Sequence, residues 1–130
     1  MNKRRSFIIG IKTISLTNKE KKFIKDYKPW GIILFSRNIK SIKQTKRLTT
    51  EIRKIFKDQN YPILIDQEGG RVNRFKNFFN ADILTGEYFG KLYTDDKKKF
   101  NNYYKLFINK TSYLLKSTGI NVNTVPVLDL

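Results

Sequence analysis

The sequence predicts an α/β protein built on a parallel sheet, and three observations carry that reading. Four short apolar runs recur along the chain: FIIGI from Phe7, GIILF from Gly31, PILID from Pro62 and NTVPVLDL near Asn123. Stretches with helical spacing and helix-start signals lie between them, so strand and helix alternate. The runs are nearly continuous rather than alternating in polarity, as strands are when both faces are covered.

The first run is followed by TNKE, Thr17 to Glu20, which has capping-box spacing ahead of a helix ending near Tyr27. The second leads through FSRN at 35–38 to SIKQ, Ser41 to Gln44, with the same spacing. In the helix that follows, Ile42, Leu48, Ile52, Ile55 and Phe56 fall mostly on one face. A third helix is expected from about Asp95 to Ser117, carrying Phe100, Tyr103, Tyr104, Phe107, Ile108, Leu114 and Leu115. Gly119 is a fitting stop for it. Trp30 reads as a packing residue, and Tyr103, Tyr104 and Tyr113 read as helix-face residues that cover the sheet.

Two parallel architectures fit this alternation, an open doubly wound sheet and a closed barrel. No glycine-rich phosphate loop follows the first strand, where a doubly wound nucleotide fold would carry one. Polar and acidic residues instead follow the later strands: Ser36-Arg37-Asn38, Asp66-Gln67-Glu68 and Asp129. Barrel enzymes place their chemistry at that end of the strands. The expectation is therefore the N-terminal half of a (β/α)8 TIM barrel, about four β/α units. Residues 1–130 are expected to form one partial barrel domain with no second domain. A whole barrel takes roughly 250 residues, and half of one leaves two open sheet edges, so a truncated sequence is expected.

Composition narrows the chemistry. The chain has no cysteine and no histidine, which removes disulfides, thiolate metal sites and the commonest general base. No metal and no cofactor are expected. Acid–base work by these residues would fall to carboxylates, lysines or tyrosines. The formal charge of +16 invites a nucleic-acid reading. Its basic residues are spread along the chain, though, and alanine appears once, at Ala81. That bias suits an AT-rich source and a solvated lysine surface. The start, MNKRRSFIIGIKTISL, has a basic and then apolar order, but Lys12 interrupts it and no cleavage site follows. Nor is there an uncharged run of about 18 apolar residues, so a cytoplasmic protein away from membranes is expected.

The most unusual passage is PILIDQEGGRVNRF, residues 62–75. A buried strand would end with Asp66 at its tip, where a carboxylate can face a pocket. Gly69 and Gly70 allow unusual backbone angles and a close approach to a ligand. Arg71 and Arg74 lie three apart, placed to bracket Asp66 or a ligand if the backbone turns helically. A carboxylate accepts from vicinal hydroxyls and arginine donates in a fixed fork, a pairing suited to a sugar. A helix cap and turn with a surface salt bridge accounts for the same residues.

Three blocks together decide the context: WGIILFSRNIKSIKQTKRLTTEIRK from Trp30, PILIDQEGGRVNRF from Pro62 and GINVNTVPVLDL from Gly119. In this order they resemble the N-terminal domain of glycoside hydrolase family 3, in particular its bacterial β-N-acetylhexosaminidases. The resemblance covers essentially the whole chain. It implies a (β/α)8 barrel that hydrolyses terminal β-linked N-acetylglucosamine, typically from peptidoglycan fragments recycled in the cytoplasm. It implies substrate-binding roles for Asp66 and Arg74, a loop-orienting role for Arg71, and a supporting role for Asp129.

The family are retaining enzymes with a carboxylate nucleophile. Their hexosaminidase branch takes its acid–base group from a histidine–aspartate pair on a mobile loop. Those residues come later in the family's sequence, so no catalytic residue is assigned here and the fragment is expected to be inactive alone. A non-catalytic sugar-binding remnant and a basic nucleic-acid binder remain as alternatives. Sequence leaves the oligomeric state open.

Overall fold

The computed structural model describes residues 4–126. In chain order the elements are β1 (Arg5–Gly10), α1 (Asn18–Tyr27), β2 (Pro29–Leu34), a 3-10 turn (Ser36–Asn38), α2 (Ile42–Phe56), β3 (Ile63–Ile65), α3 (Gly86–Asp95), α4 (Lys97–Thr118) and β4 (Val122–Asn123). The four strands form one sheet in the order β1-β2-β3-β4, and every pairing is parallel. Helix-bearing connections are what parallel neighbours require. The α/β reading of the sequence therefore holds at the level of class and sheet direction.

Register explains which residues form the core. Ile32 pairs with Ile63 and Leu34 with Ile65, and all four are fully buried. They belong to one cluster with Ile24 of α1, Leu48 and Ile52 of α2, and Leu114 of α4. Burying such a side chain contributes about 1.5–3 kcal/mol each. The intervening residues point to the other face of the sheet. There Ile8 stands beside Gly31, and Ile33 beside Leu64. A Cβ on Gly31 would sit 2.7 Å from Leu64 Cδ1, so the glycine leaves room for the leucine to lean across β2.

The helix signals have mixed outcomes. At α1 the box is complete: the Thr17 hydroxyl accepts from Glu20 N–H, and Glu20 accepts from Thr17 N–H at 2.8 Å. At α2 it is half made. Ser41 Oγ accepts from Gln44 N–H, but Gln44 Oε1 accepts from Lys40 N–H and its amide donates to Ile14 O and Asn38 O. The nearby loop outcompetes the cap. Helix α4 ends at Gly119 with φ 77°, the left-handed geometry that favours glycine.

Several expectations need correction. The helix expected from about Asp95 to Ser117 is α4, but a helix the sequence reading left out, α3, precedes it. The two are separated at Asp96, whose backbone is extended and whose side chain caps α4 by accepting from Lys99 N–H. Tyr103, Tyr104 and Tyr113 do not cover the sheet. The buried side of α4 is Phe107, Thr111, Leu114 and Thr118, and these tyrosines are exposed. Trp30 is exposed too, at the start of β2, rather than packed. The sheet is not covered on both faces, because Ile8 in β1 remains 46% exposed. Strand β4 begins one residue before NTVPVLDL, at Val122, and residues 124–126 lie outside it, while 127–130 of that run fall outside the described residues. Its pairing is closed by Asn121 N–H to Ile63 O and Thr124 N–H to Ile65 O. Asp129 lies outside the described residues.

Candidate functional site

Strand alternation carries the inner face of the sheet past its C-terminal edge. Ile33 and Leu64 are register partners, and two residues further along come Phe35 and Asp66, on the same side. Gly10 pairs with Ile33 and ends β1 at that edge. One mouth therefore gathers the ends of β1, β2 and β3.

Asp66 is held at that mouth by two donors. Arg74 Nη2 lies 3.3 Å from Asp66 Oδ2, with both side chains about a quarter exposed. The Thr124 hydroxyl donates to Oδ1. Arg74 also lies with its guanidinium carbon 5.4 Å from the centre of the Phe35 ring, within range of a cation–π contact. Its buried Nε has no hydrogen-bond partner among the described residues.

The loop after β3 is positioned by an amide network invisible to periodicity. Gln67 is buried, and its Oε1 accepts from the backbone N–H of both Arg74 and Phe75 at 2.9 and 3.1 Å. Its Nε2 donates to Asn73 Oδ1, and Asn73 in turn donates to Phe79 O. Asn123 clamps the Gln67 backbone from β4 through both its amide atoms. Buried amides with all these partners rigidify a loop. The signal available in sequence was only that amides sit among charged residues and glycines, which is too common to single them out.

The glycines act differently from the expectation. Gly69 and Gly70 have φ of 98° and 57°, as anticipated. The close approach they permit is to the chain itself: a Cβ on Gly69 would lie 2.2 Å from Leu84 O, and one on Gly70 2.7 Å from Thr85 Cγ2. Arg71 does not bracket Asp66. It is exposed in a turn closed by Val72 N–H to Gly69 O, and among the described residues only Arg74 pairs with that carboxylate.

The FSRN segment serves two purposes. Asn38 is fully buried and ties the turn, accepting from Phe35 N–H and donating to Ile11 O and Thr13 O. Arg37, left outside the site by sequence reasoning, reaches the mouth. Its Nε donates to Ile11 O at 3.0 Å and its guanidinium carbon lies 4.6 Å from the Phe35 ring centre.

The largest described cavity, about 620 Å³, lies elsewhere, between α3, α4 and the chain beyond β4. Its lining is chiefly aromatic, with Phe89, Tyr93, Phe100 and Tyr104, and it takes in Glu68 but neither Asp66 nor Arg74. The second acid of the motif thus lines a cavity that does not include the first. Among the described residues no group of three or more His, Cys, Asp or Glu is placed to hold a metal ion.

No protein-family model matches the chain. It is 32% identical over 123 residues to a β-hexosaminidase of Hydrogenovibrio crunogenus, covering 95% of this chain and 34% of that protein. With a β-hexosaminidase of Neisseria meningitidis it shares 34% identity over 121 residues, 92% of this chain and 33% of that one. The fold also matches that of NagZ from Neisseria gonorrhoeae in complex with N-trifluoroacetyl-D-glucosamine. The TM-score is 0.82 at 32% identity, over 98% of this chain and 38% of the other. A glycoside hydrolase family 3 β-N-acetylglucosaminidase from Paenibacillus gives a TM-score of 0.72 at 28% identity, over 95% of this chain and 23% of that chain. The chain is similar in sequence to β-hexosaminidases and in fold to NagZ and to a family 3 β-N-acetylglucosaminidase. It spans about a third of the length of the curated β-hexosaminidases it matches. Against these relatives, the parallel sheet and the mouth at its C-terminal edge are the parts of the architecture that this chain supplies.

Proposed function

We propose that residues 1–130 form the first four β/α units of a (β/α)8 barrel in a retaining β-N-acetylhexosaminidase, and that Asp66 and Arg74 bind the terminal β-linked N-acetylglucosamine. One observation carries this reading: a carboxylate fixed at the C-terminal tip of a parallel strand by an arginine and a hydroxyl. The match to a NagZ structure whose ligand is an N-acylated glucosamine supports the sugar class. Peptidoglycan fragments in the cytoplasm are the substrate and setting we favour. A hydrolysis run by a carboxylate nucleophile and a side-chain acid–base group needs no cofactor. We read the basic surface as solvated, not as a nucleic-acid groove. No described helix is long and apolar enough to cross a membrane.

The chemistry follows from acceptor counting. A carboxylate offers about four lone-pair sites. Arg74 and Thr124 occupy one on each oxygen, so a site on each oxygen remains for a pair of sugar hydroxyls. Because both oxygens are already oriented, binding needs little rearrangement, and preorganised acceptors of this kind stabilise a transition state best. Asp66 is a binding group rather than a nucleophile. The resemblance gives the nucleophile to a later carboxylate, and Glu68, the nearest acid in sequence, lines the aromatic cavity. Nucleophile and acid–base groups would come from the part of the relatives that this chain does not span.

Hydrolysis of a chromogenic β-N-acetylglucosaminide by the full-length protein tests the proposal. Asp66→Ala should lower kcat/KM by about 2–4 kcal/mol of transition-state stabilisation. Unchanged kinetics would remove Asp66 from the site.

A further inference from the structure

Helix α4 has a flank that the described fold leaves uncovered. Its 22 residues include Lys97, Lys98, Lys99, Lys105, Lys110 and Lys116, and no acid. All these lysines are exposed, and among the described residues only Lys99 has a carboxylate in reach, that of Asp96 at 3.5 Å. Large apolar side chains stand among them. Leu106 is 65% exposed, Tyr113 62% and Tyr103 48%. With 3.6 residues per turn, Tyr103, Leu106, Lys110 and Tyr113 fall within about 80° of one another, over about 15 Å of helix. Lys110 Nζ lies 5.8 Å from the centre of the Tyr113 ring, so cation and phenol share one patch.

Packing accounts for the other sides of α4. Phe107, Thr111, Leu114 and Thr118 form its buried seam. On one side of that seam Tyr104 and Ile108 line the aromatic cavity, together with Val125 and Pro126 from beyond β4. The stripe of Tyr103, Leu106 and Tyr113 lies on the other side, away from the chain that leaves β4. Apolar residues exposed singly need no explanation. Three on one flank, set among cations with no acid, have the composition of a helix that lies on a negatively charged lipid surface. Tyrosine can place its ring at such a boundary with its hydroxyl in water, and lysine can bury its stem while its charge reaches outward. Nucleic-acid phosphates would engage the lysines but leave Leu106 in water.

We propose that this flank of α4 rests on the surface of an anionic lipid bilayer. Tyr103, Leu106 and Tyr113 enter the headgroup region, and the lysines of α4 lie against the lipid phosphates. Hydropathy, which led to the expectation of a protein away from membranes, tests for spanning segments; a helix lying on the surface needs none. The inference is independent of the sugar-site reading.

Flotation of the purified protein with lipid vesicles tests it. Vesicles of about 30% phosphatidylglycerol in phosphatidylcholine should bind the protein at least about tenfold more strongly than pure phosphatidylcholine at about 0.1 M salt. The difference should shrink at about 0.5 M. Replacing Lys105→Gln and Lys110→Gln together should weaken binding on the order of tenfold. Leu106→Gln with Tyr113→Gln should weaken it several-fold at unchanged charge. All four positions are exposed, so both double variants should unfold at the wild-type temperature. Equal binding of wild type to the two kinds of vesicle, or to neither, overturns the proposal without relying on any variant. Binding that survives both double variants overturns the role of α4. Binding lost with the lysine pair but untouched by the Leu106 and Tyr113 pair overturns it too, and marks a surface for polyanions such as nucleic acid instead of lipid.

Discussion

At the level of single residues, Tyr61 shows how one buried hydroxyl ties the sheet to its helices. Its ring stacks on Phe56 of α2 with centres 3.8 Å apart, and its hydroxyl donates to Pro29 O at 2.8 Å. Burial pushes the phenol well above its ordinary range, with Arg4 opposing in part. The folded tyrosine keeps its proton to higher pH than the unfolded one, so its contribution is complete below the unfolded value near 10 and declines as pH rises beyond it. Tyr61→Phe should cost about 0.5–1.5 kcal/mol at pH 7. In urea titrations at pH 7 and pH 10.5, the gap between wild type and variant should narrow at the higher pH. A constant gap would mean that the hydroxyl contributes nothing that titrates. The same scale shows why the site was only partly legible. Asp66 and Arg74 stand out because a charged pair follows an apolar run. Gln67, Asn73 and Asn123 do not, because their partners are 6 to 56 residues away and no local pattern encodes them.

At the level of elements, local rules succeed wherever the partners are near in sequence. The α1 box is the clearest instance. Burial pushes the Glu20 carboxyl up, yet hydrogen bonds from the Thr17 hydroxyl and from Lys12 and Thr17 N–H outweigh it and hold the group below its ordinary value. A carboxyl with a depressed value stabilises above its unfolded range and loses that stabilisation as pH falls. Thr17→Ala should cost about 1 kcal/mol at pH 7, and the cost should shrink below pH 4. Thermal unfolding followed by circular dichroism at the two pH values checks this; an equal cost in acid would separate the cap from Glu20. The α2 box was legible only in half, since Gln44 finds partners in the loop at Ile14 and Asn38. Helix α3 was missed because its apolar residues, Phe89 above all, pack on Phe100, Tyr104 and Phe107 of α4.

At the level of the whole molecule, two forces of opposite sign act on the uncovered parts of the sheet. Strands β1 and β4 are the edges of the described sheet, and edge strands offer unpaired backbone groups to another chain. The inner face adds apolar surface at Ile8, which is 46% exposed. Both favour association of the 130-residue polypeptide on its own. The net charge of +16 opposes it, because like-charged molecules repel until salt screens them. Association should therefore rise with ionic strength, the reverse of what phosphate binding by the same lysines would show. Light scattering on a sizing column should find mostly monomer at low salt and larger species at about 0.5 M. Ile8→Lys should shift that onset to higher salt, since it adds a charge and removes apolar surface in the middle of β1. A polypeptide that stays monomeric at every salt concentration would show that the exposed face and edges are protected by some feature other than charge. Retention on nucleic acid at low salt that vanishes at high salt would instead return the lysines to a binding role.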